Sequence, residues 1–240
     1  ALSVIESLDF TDFVFPFTDA FNMQLVEQEL DNRWLPLPPA SSLGSGEKDA
    51  HLWQAFRGTE TQLAAWHENR NNQHVTTLAL EPSTTVGTVS YAGFMSPSWV
   101  VAAAYGALGS YYFGISPNIN FQNIEIPCLV GAPFPSRWKW NERNRLILNY
   151  GFATHKYSID GIGDDVIIER SVTNNKYTVN GAQTDAEMNT ETQKLNSYLR
   201  WDLKNYLLLT YPNHLLADDS PRVSRNQKVT TPNRIRAVIY

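Results

Sequence analysis

The sequence predicts a mainly β fold: a jelly-roll β-sandwich with an extended N-terminal arm and a C-terminal helix plus tail. Three observations predict it. Six or more short stretches read as strands separated by loops. The composition favours turns and pleated surfaces, with 20 Asn, 13 Pro and 12% aromatic residues against only 18% charged. The best helical pattern comes late, as an appendage to that plan. A length of 240 residues suits one large domain, or one with extensions, and can bury a substantial core.

The elements follow in order. "ALSVIESLDFTDFVFPFTDAFNMQLVEQEL" is rich in Phe and interrupted by Pro16. Phe10, Phe13, Phe15 and Phe17 do not hold helical spacing, so this part reads as an extended arm that another surface must cover. "WLPLPPASSLGSGEKD" is a linker by composition, which makes residues 1–48 arm and linker. A core spans residues 49–182. In it, "HLWQAFRGTETQLAAWHENR" fits a short helix or a strand equally. "HVTTLALEPS" is a strand alternating at Val75, Thr77 and Ala79 and closed by Pro82. "VGTVSYAGF" reads as another strand, and "SPSWVVAAAYGAL" opens a helix with Ser98 as N-cap. "NFQNIEIPCLV" is a strand through Phe121, Ile124 and Ile126, and "NRLILNYGF" is a further one. "DDVIIERSV" and "KYTVNG" form a hairpin-like pair around "TNN". Residues 183–240 hold the helix and a basic extension. Met188, Leu195, Leu199, Leu203, Tyr206 and Leu207 recur at helical spacing, Thr184 or Asp185 can cap, and Pro212 follows the end.

Charge and cysteine usage narrow the function. A net charge of −5 and a pI near 5.5 exclude nucleic-acid binding by global charge. The tail Arg222, Arg225, Lys228, Arg234 and Arg236 has no acid among those residues. It reads either as a solvated or partner-facing extension or as a set of local RNA-phosphate contacts. One cysteine and no N-x-[ST] site lean towards synthesis in a reducing cytosol. The first residue is Ala1, with no basic and apolar leader behind it, so the start reads as a processed or trimmed end. No apolar run reaches the ~18 residues of a membrane span.

No constellation points to catalysis, a cofactor or a metal. His51, His67, His74, His155 and His214 are scattered without ligand spacing and read as surface or satisfied histidines. Cys128 sits among Ile126, Leu129 and Val130 with no base nearby, which reads as a small buried hydrophobe. Asp164 and Asp165 are adjacent before a strand, where neighbours face opposite ways, so they read as turn residues rather than an acid pair. One enzyme reading stands as an alternative. Arg57 in "AFRG", Ser96 in "GFMSPS" and an acid at Asp165 resemble the arginine, serine-strand and acid order of mono-ADP-ribosyltransferases, although both glutamates of that family's acidic element are missing. A carbohydrate- or partner-binding β-sandwich module is the other alternative.

Five strings occur in the order of a known family. "AFRGTETQLAAW", "HVTTLALEPS" running into Pro82, "IEIPCLVGAPF", and "NRLILNYGF" followed by "GIGDDVII" span Trp53 to Ile168. Together they resemble picorna-like icosahedral capsid proteins of the dicistrovirus, iflavirus and marine RNA virus (marnavirus) type. The resemblance implies a non-enzymatic capsid protein of the virion, assembled in the host cytoplasm and cut from a polyprotein. Its partners would be other capsid subunits through arm exchange and loop contacts, with genomic RNA enclosed and an unnamed host receptor. The expected interface anchors are Phe13, Phe15, Phe17, Trp53, Trp66, Trp99, Trp138 and Trp140. The stiff stretch through Pro127, Pro133 and Pro135 is expected to dock on a neighbouring subunit.

Overall fold

The stretch Val75–Leu80 is buried at all six positions, on both faces. A sandwich strand with one wet face would alternate, and continuous burial is the mark of a sheet covered on both sides. The structure, a computed structural model, describes residues 8, 10–35, 48–68, 70–158, 164–178, 180–219 and 228–239. At its centre is a parallel sheet of β1 (Asp12–Val14), β2 (His51–Arg57) and β3 (Val75–Leu80), in that order. The connections are α1 (Ala20–Trp34) and α2 (Glu60–His67), so the chain begins as two consecutive βαβ units.

Both faces are then accounted for. Met23, Val26 and Leu30 of α1 pack with Leu52 and Val75. Leu63 of α2 packs with Ala79 on that side. On the opposite face Trp53, Ala55, Leu78 and Leu80 meet Val101, Ala102 and Tyr105. Those three belong to α3 (Ser98–Ile115), which follows a small exposed hairpin of β4 (Thr84–Val86) and β5 (Val89–Tyr91). The sheet continues past β3: Ala79 N–H donates to the Ala153 carbonyl and Ala153 N–H to that of Thr77, both at 2.9 Å. Ala153 leads into β6 (Thr154–Tyr157), which pairs antiparallel with β7 (Val166–Arg170). Just before β6 in sequence, α4 (Trp140–Tyr150) adds Leu146 to the α2 side.

The expected jelly roll is therefore incorrect: the fold is mixed α/β. Several local readings change with it. The N-terminal stretch is not an arm awaiting a neighbour, because Phe13 and Phe15 pack on the α1 side and Asp19 caps α1 by accepting from Asn22 N–H at 3.0 Å. "NRLILNYGF" is mostly helix, since Glu142 Oε2 accepts from Lys139 N–H at the start and Gly151, at φ 60°, closes the end. "NFQNIEIPCLV" forms no strand. Its residues 123–126 lie along β7 through Asn123 N–H to Ile168 and Ile126 N–H to Val166, and then the chain turns. Cys128 is exposed in that turn at φ 63°, not buried. β7 takes β6 as its partner instead of "KYTVNG".

The chain divides into two compact units, residues 1–195 and residues 196–240, with the division inside α5 (Thr190–Thr210). The first unit contains everything above. The second holds the remainder of α5, a short parallel pair of β8 (Leu215–Leu216) and β9 (Val229–Thr230), and α6 (Pro232–Ile239). Within it, Asn233 N–H donates to Asp219 Oδ1 at the start of α6. Leu199, Trp201, Tyr206, Leu208, Leu209, Leu215 and Leu216 are all exposed.

Candidate assembly surface

Strand β3 ends at Leu80, and the next side chain turns inward. Glu81 is buried, with its Oε2 3.0 Å from His155 Nε2 and 3.3 Å from the Tyr157 hydroxyl that donates to it. Burial raises the Glu81 carboxyl, but the imidazole beside it and these hydrogen bonds outweigh burial and hold it below its ordinary value. Burial and the neighbouring carboxylate push the Tyr157 hydroxyl upwards, so it stays a neutral donor. The same hydroxyl accepts from Ala132 N–H at 2.7 Å. Gly131 makes this approach possible: a Cβ there would overlap the Tyr157 ring.

These bonds fasten the proline-rich stretch beyond Pro127. Arg137 stacks its guanidinium 3.8 Å over the Tyr157 ring, donates to the Ala132 carbonyl at 2.8 Å and pairs with Asp164 at 2.9 Å. Upstream, Ser96 Oγ accepts from Val130 N–H at 2.8 Å, while Met95 and Ser96 N–H both donate to the Val130 carbonyl. Arg57, at the end of β2, donates to the Ser96 carbonyl at 2.7 Å. The buried polar groups thus fix a loop layer over the carboxyl ends of β2, β3 and β6.

What that layer presents outward is apolar. Phe134 is 70% exposed, Trp140 66%, Trp99 62% and Met95 58%, and Val86, Val89 and Val130 are exposed as well. Large apolar side chains exposed together are the kind of patch that interaction surfaces use. The layer also contains two members of the enzyme reading, Arg57 and Ser96, but both are used in fastening loops, and Asp165 stands exposed at the entrance to β7. Among the described residues no group of three or more His, Cys, Asp or Glu is placed to hold a metal. No helix among them is long and apolar enough to cross a membrane.

The anchors picked from the sequence fall in different places. Trp53 is the centre of the core, 0% exposed, with Nε1–H donating to Asp12 Oδ1 at 2.7 Å. Phe13, Phe15 and Trp138 are half-buried, whereas Phe17 and Trp140 are exposed. Of the basic tail, Arg222 and Arg225 lie outside the described residues. Lys228 precedes β9 and is exposed, Arg234 donates to the Val229 carbonyl, and Arg236 is exposed on α6. Of the histidines expected to be surface or satisfied groups, His51, His74 and His155 are buried with hydrogen-bond partners, His67 is buried without one among the described residues, and His214 is half-exposed. Of the other expected anchors, Trp66 is half-buried and Trp99 is exposed, whereas Met95 and Phe134 were missed. Each sits in a loop or a helix's first turn, where no periodicity marks a side chain as exposed.

No protein-family model matches the chain. It is similar to the Mu-like prophage FluMu tail sheath protein of Haemophilus influenzae, 27% identical over 221 residues, which cover 92% of this chain and 40% of that protein. Its fold is similar to the crystal structure of the sheath tail protein from Desulfitobacterium hafniense, with a TM-score of 0.56 at 12% identity, over 89% of this chain and 43% of that one. The chain spans about two-fifths of the length of the proteins it matches. These similarities overturn the resemblance to picorna-like capsid proteins, and with it the jelly roll and the icosahedral RNA-virus shell. The capsid-like strings covered only Trp53 to Ile168, and they fall on α/β elements: the "RG" ends β2 and "NRLILNYGF" is α4.

Proposed function

We propose that this chain is the part of a phage or prophage tail sheath subunit that packs against further copies of the subunit, a structural virion role without enzymatic activity. The observation that carries the reading is the similarity to a prophage tail sheath protein over 92% of the chain. The exposed apolar layer supports it. A sheath repeats one subunit, and head-to-tail contacts between unlike patches generate open, helical assemblies instead of closed rings. Such contacts need apolar anchors on a rigid base, and Phe134, Trp99, Met95 and Trp140 supply them. Phe17 and Trp138 are kept as further anchors, whereas Trp53 serves the interior.

The test is self-association of the purified chain, followed by sedimentation velocity and negative-stain electron microscopy. Rod-like or tubular oligomers are expected at high protein concentration. The paired substitutions Trp99→Asp and Phe134→Asp should reduce them to monomers without changing the far-ultraviolet circular dichroism. Monomers under every condition, or assembly indifferent to both substitutions, would count against the apolar layer as the contact.

A further inference from the structure

The carboxylate of Asp12 joins three parts of the first unit that are far apart in sequence. Its Oδ1 accepts from Trp53 Nε1–H at 2.7 Å and from Lys194 Nζ at 2.8 Å, while Oδ2 accepts from the Thr11 hydroxyl at 2.8 Å. Lys194 donates also to the Thr11 carbonyl at 3.3 Å and lies 5.9 Å from the Phe113 ring centroid. Both members of the ion pair are largely shielded, with side-chain exposures of 10% for Lys194 and 13% for Asp12. Asp12 opens β1, a three-residue edge strand that pairs, among the described residues, with β2. Lys194 lies in the first turns of α5, next to the end of the unit.

Each element has holds of its own, and the Asp12–Lys194 pair joins the two. An edge strand of three residues makes few ladder bonds. The start of α5 is held by polar contacts: Thr190 Oγ1 at 2.9 Å from Thr76 Oγ1, Gln193 Nε2 at 3.0 Å from His74 Nδ1, and Glu191 Oε1 accepting from Phe121 N–H at 3.1 Å. We propose that Asp12 is a latch that makes the seating of β1 and the rooting of α5 one conformational event. If β1 leaves its edge, Lys194 loses its counter-charge in a shielded place and Trp53 keeps an unpaired indole N–H in the core. If the root of α5 moves, Asp12 is left as a shielded carboxylate with too few donors. Each departure thereby favours the other. On the sheath reading, a neighbouring copy that draws β1 away also loosens α5. The coupling itself belongs to the isolated chain and is tested apart from assembly.

The test is native-state hydrogen exchange on the chain, read at residues 12–15 and at residues 190–195. Lys194→Met should speed exchange at both places by about tenfold or more, the size expected for one charge-assisted hydrogen bond. Asp12→Asn should do the same. The double variant should be no faster than the faster single one, since one latch can be opened only once. Lys194→Arg, which keeps the charge, should stay near the parent and controls for loss of packing if Asp12→Asn does not fold. Faster exchange confined to residues 190–195 in Lys194→Met, or log rates that simply add in the double variant, would overturn the latch.

Discussion

Gly109→Ala should destabilise the first unit, although the same change inside most helices stabilises them. In an exposed helix interior, Ala is better than Gly by about 1 kcal/mol. Here the new Cβ would lie 2.6 Å from Trp53 Cη2 and closer still to Cζ2, where carbon atoms rest at about 3.5–4.0 Å. Something must move by about 1 Å, and the indole is poorly placed to do so. Its Nε1–H is bonded to Asp12, Tyr105 meets it edge-on at 4.9 Å, and Phe121 at 5.8 Å. Overpacking of this kind costs about 1–3 kcal/mol. Taking the upper end and subtracting the propensity gain leaves about 2 kcal/mol of destabilisation. Gly114 is an internal control in the same helix, because its Cβ would meet nothing within 4 Å, so Gly114→Ala should be neutral or stabilising by up to about 1 kcal/mol. Urea unfolding followed by circular dichroism measures both, with the dependence on denaturant concentration compared to the parent. A Gly109→Ala chain as stable as the parent, at equal denaturant dependence, would refute the claim that Trp53 is clamped.

Two pH effects follow from buried groups. His67 is buried among Tyr150 and Phe152, with no hydrogen-bond partner for either ring nitrogen among the described residues. Burial, reinforced by Lys176 and Arg70, lowers its imidazole to about 4. Between about pH 4 and the ordinary 6.5, the unfolded chain binds a proton at His67 that the folded chain does not, so stability rises with pH in that window, by up to about 3 kcal/mol in total. His67→Phe should flatten that part of a stability-against-pH curve, and an unchanged slope would contradict the assignment. Glu81 is the acid case: its folded value lies below the ordinary 4.5, so its contribution is present above that pH and is lost as pH falls through the folded value. Glu81→Gln should cost about 1.5–3 kcal/mol at neutral pH, the worth of a hydrogen bond to a charged group, and weaken the acid-side loss, as read by urea unfolding at several pH values. It should also speed proteolysis of residues 129–138, and unchanged cleavage there would argue that Arg137 alone fixes the loop.

Much of the local structure was legible. Val75–Leu80 reads as a strand, Ser98 onward as a helix, and the late leucine pattern as α5. α1 was readable too, from Asp19 as N-cap and from Met23, Val26, Leu30 and Arg33 at helical spacing, but the Phe pattern and Pro16 drew attention to extended structure. α4 was misread because "LIL" has strand-like content, while only Leu146 and Ile147 are buried and Leu148 is exposed. A count of short strands points to a jelly roll only where each strand keeps one wet face. Buried Thr76 and Thr77 in neighbouring positions already contradict a strand with one wet side.

By itself the sequence determined the strand at Val75–Leu80 and the apolar periods of α3 and α5, because these depend on residues within a few positions of one another, but it misplaced two caps: Pro97, not Ser98, precedes α3, and α5 begins at Thr190, beyond Thr184 and Asp185. It also determined that no cysteine framework or histidine ligand spacing exists, since those are matters of residue type and interval. The tertiary structure alone decided what each side chain meets. It put Asp12 between Trp53 and Lys194, joined Glu81 to His155, enclosed Trp53 and left Phe134 and Trp99 outside. Burial and pairing arise where distant segments close on one another, so an aromatic residue in a sequence carries no sign of whether it faces a core or another subunit.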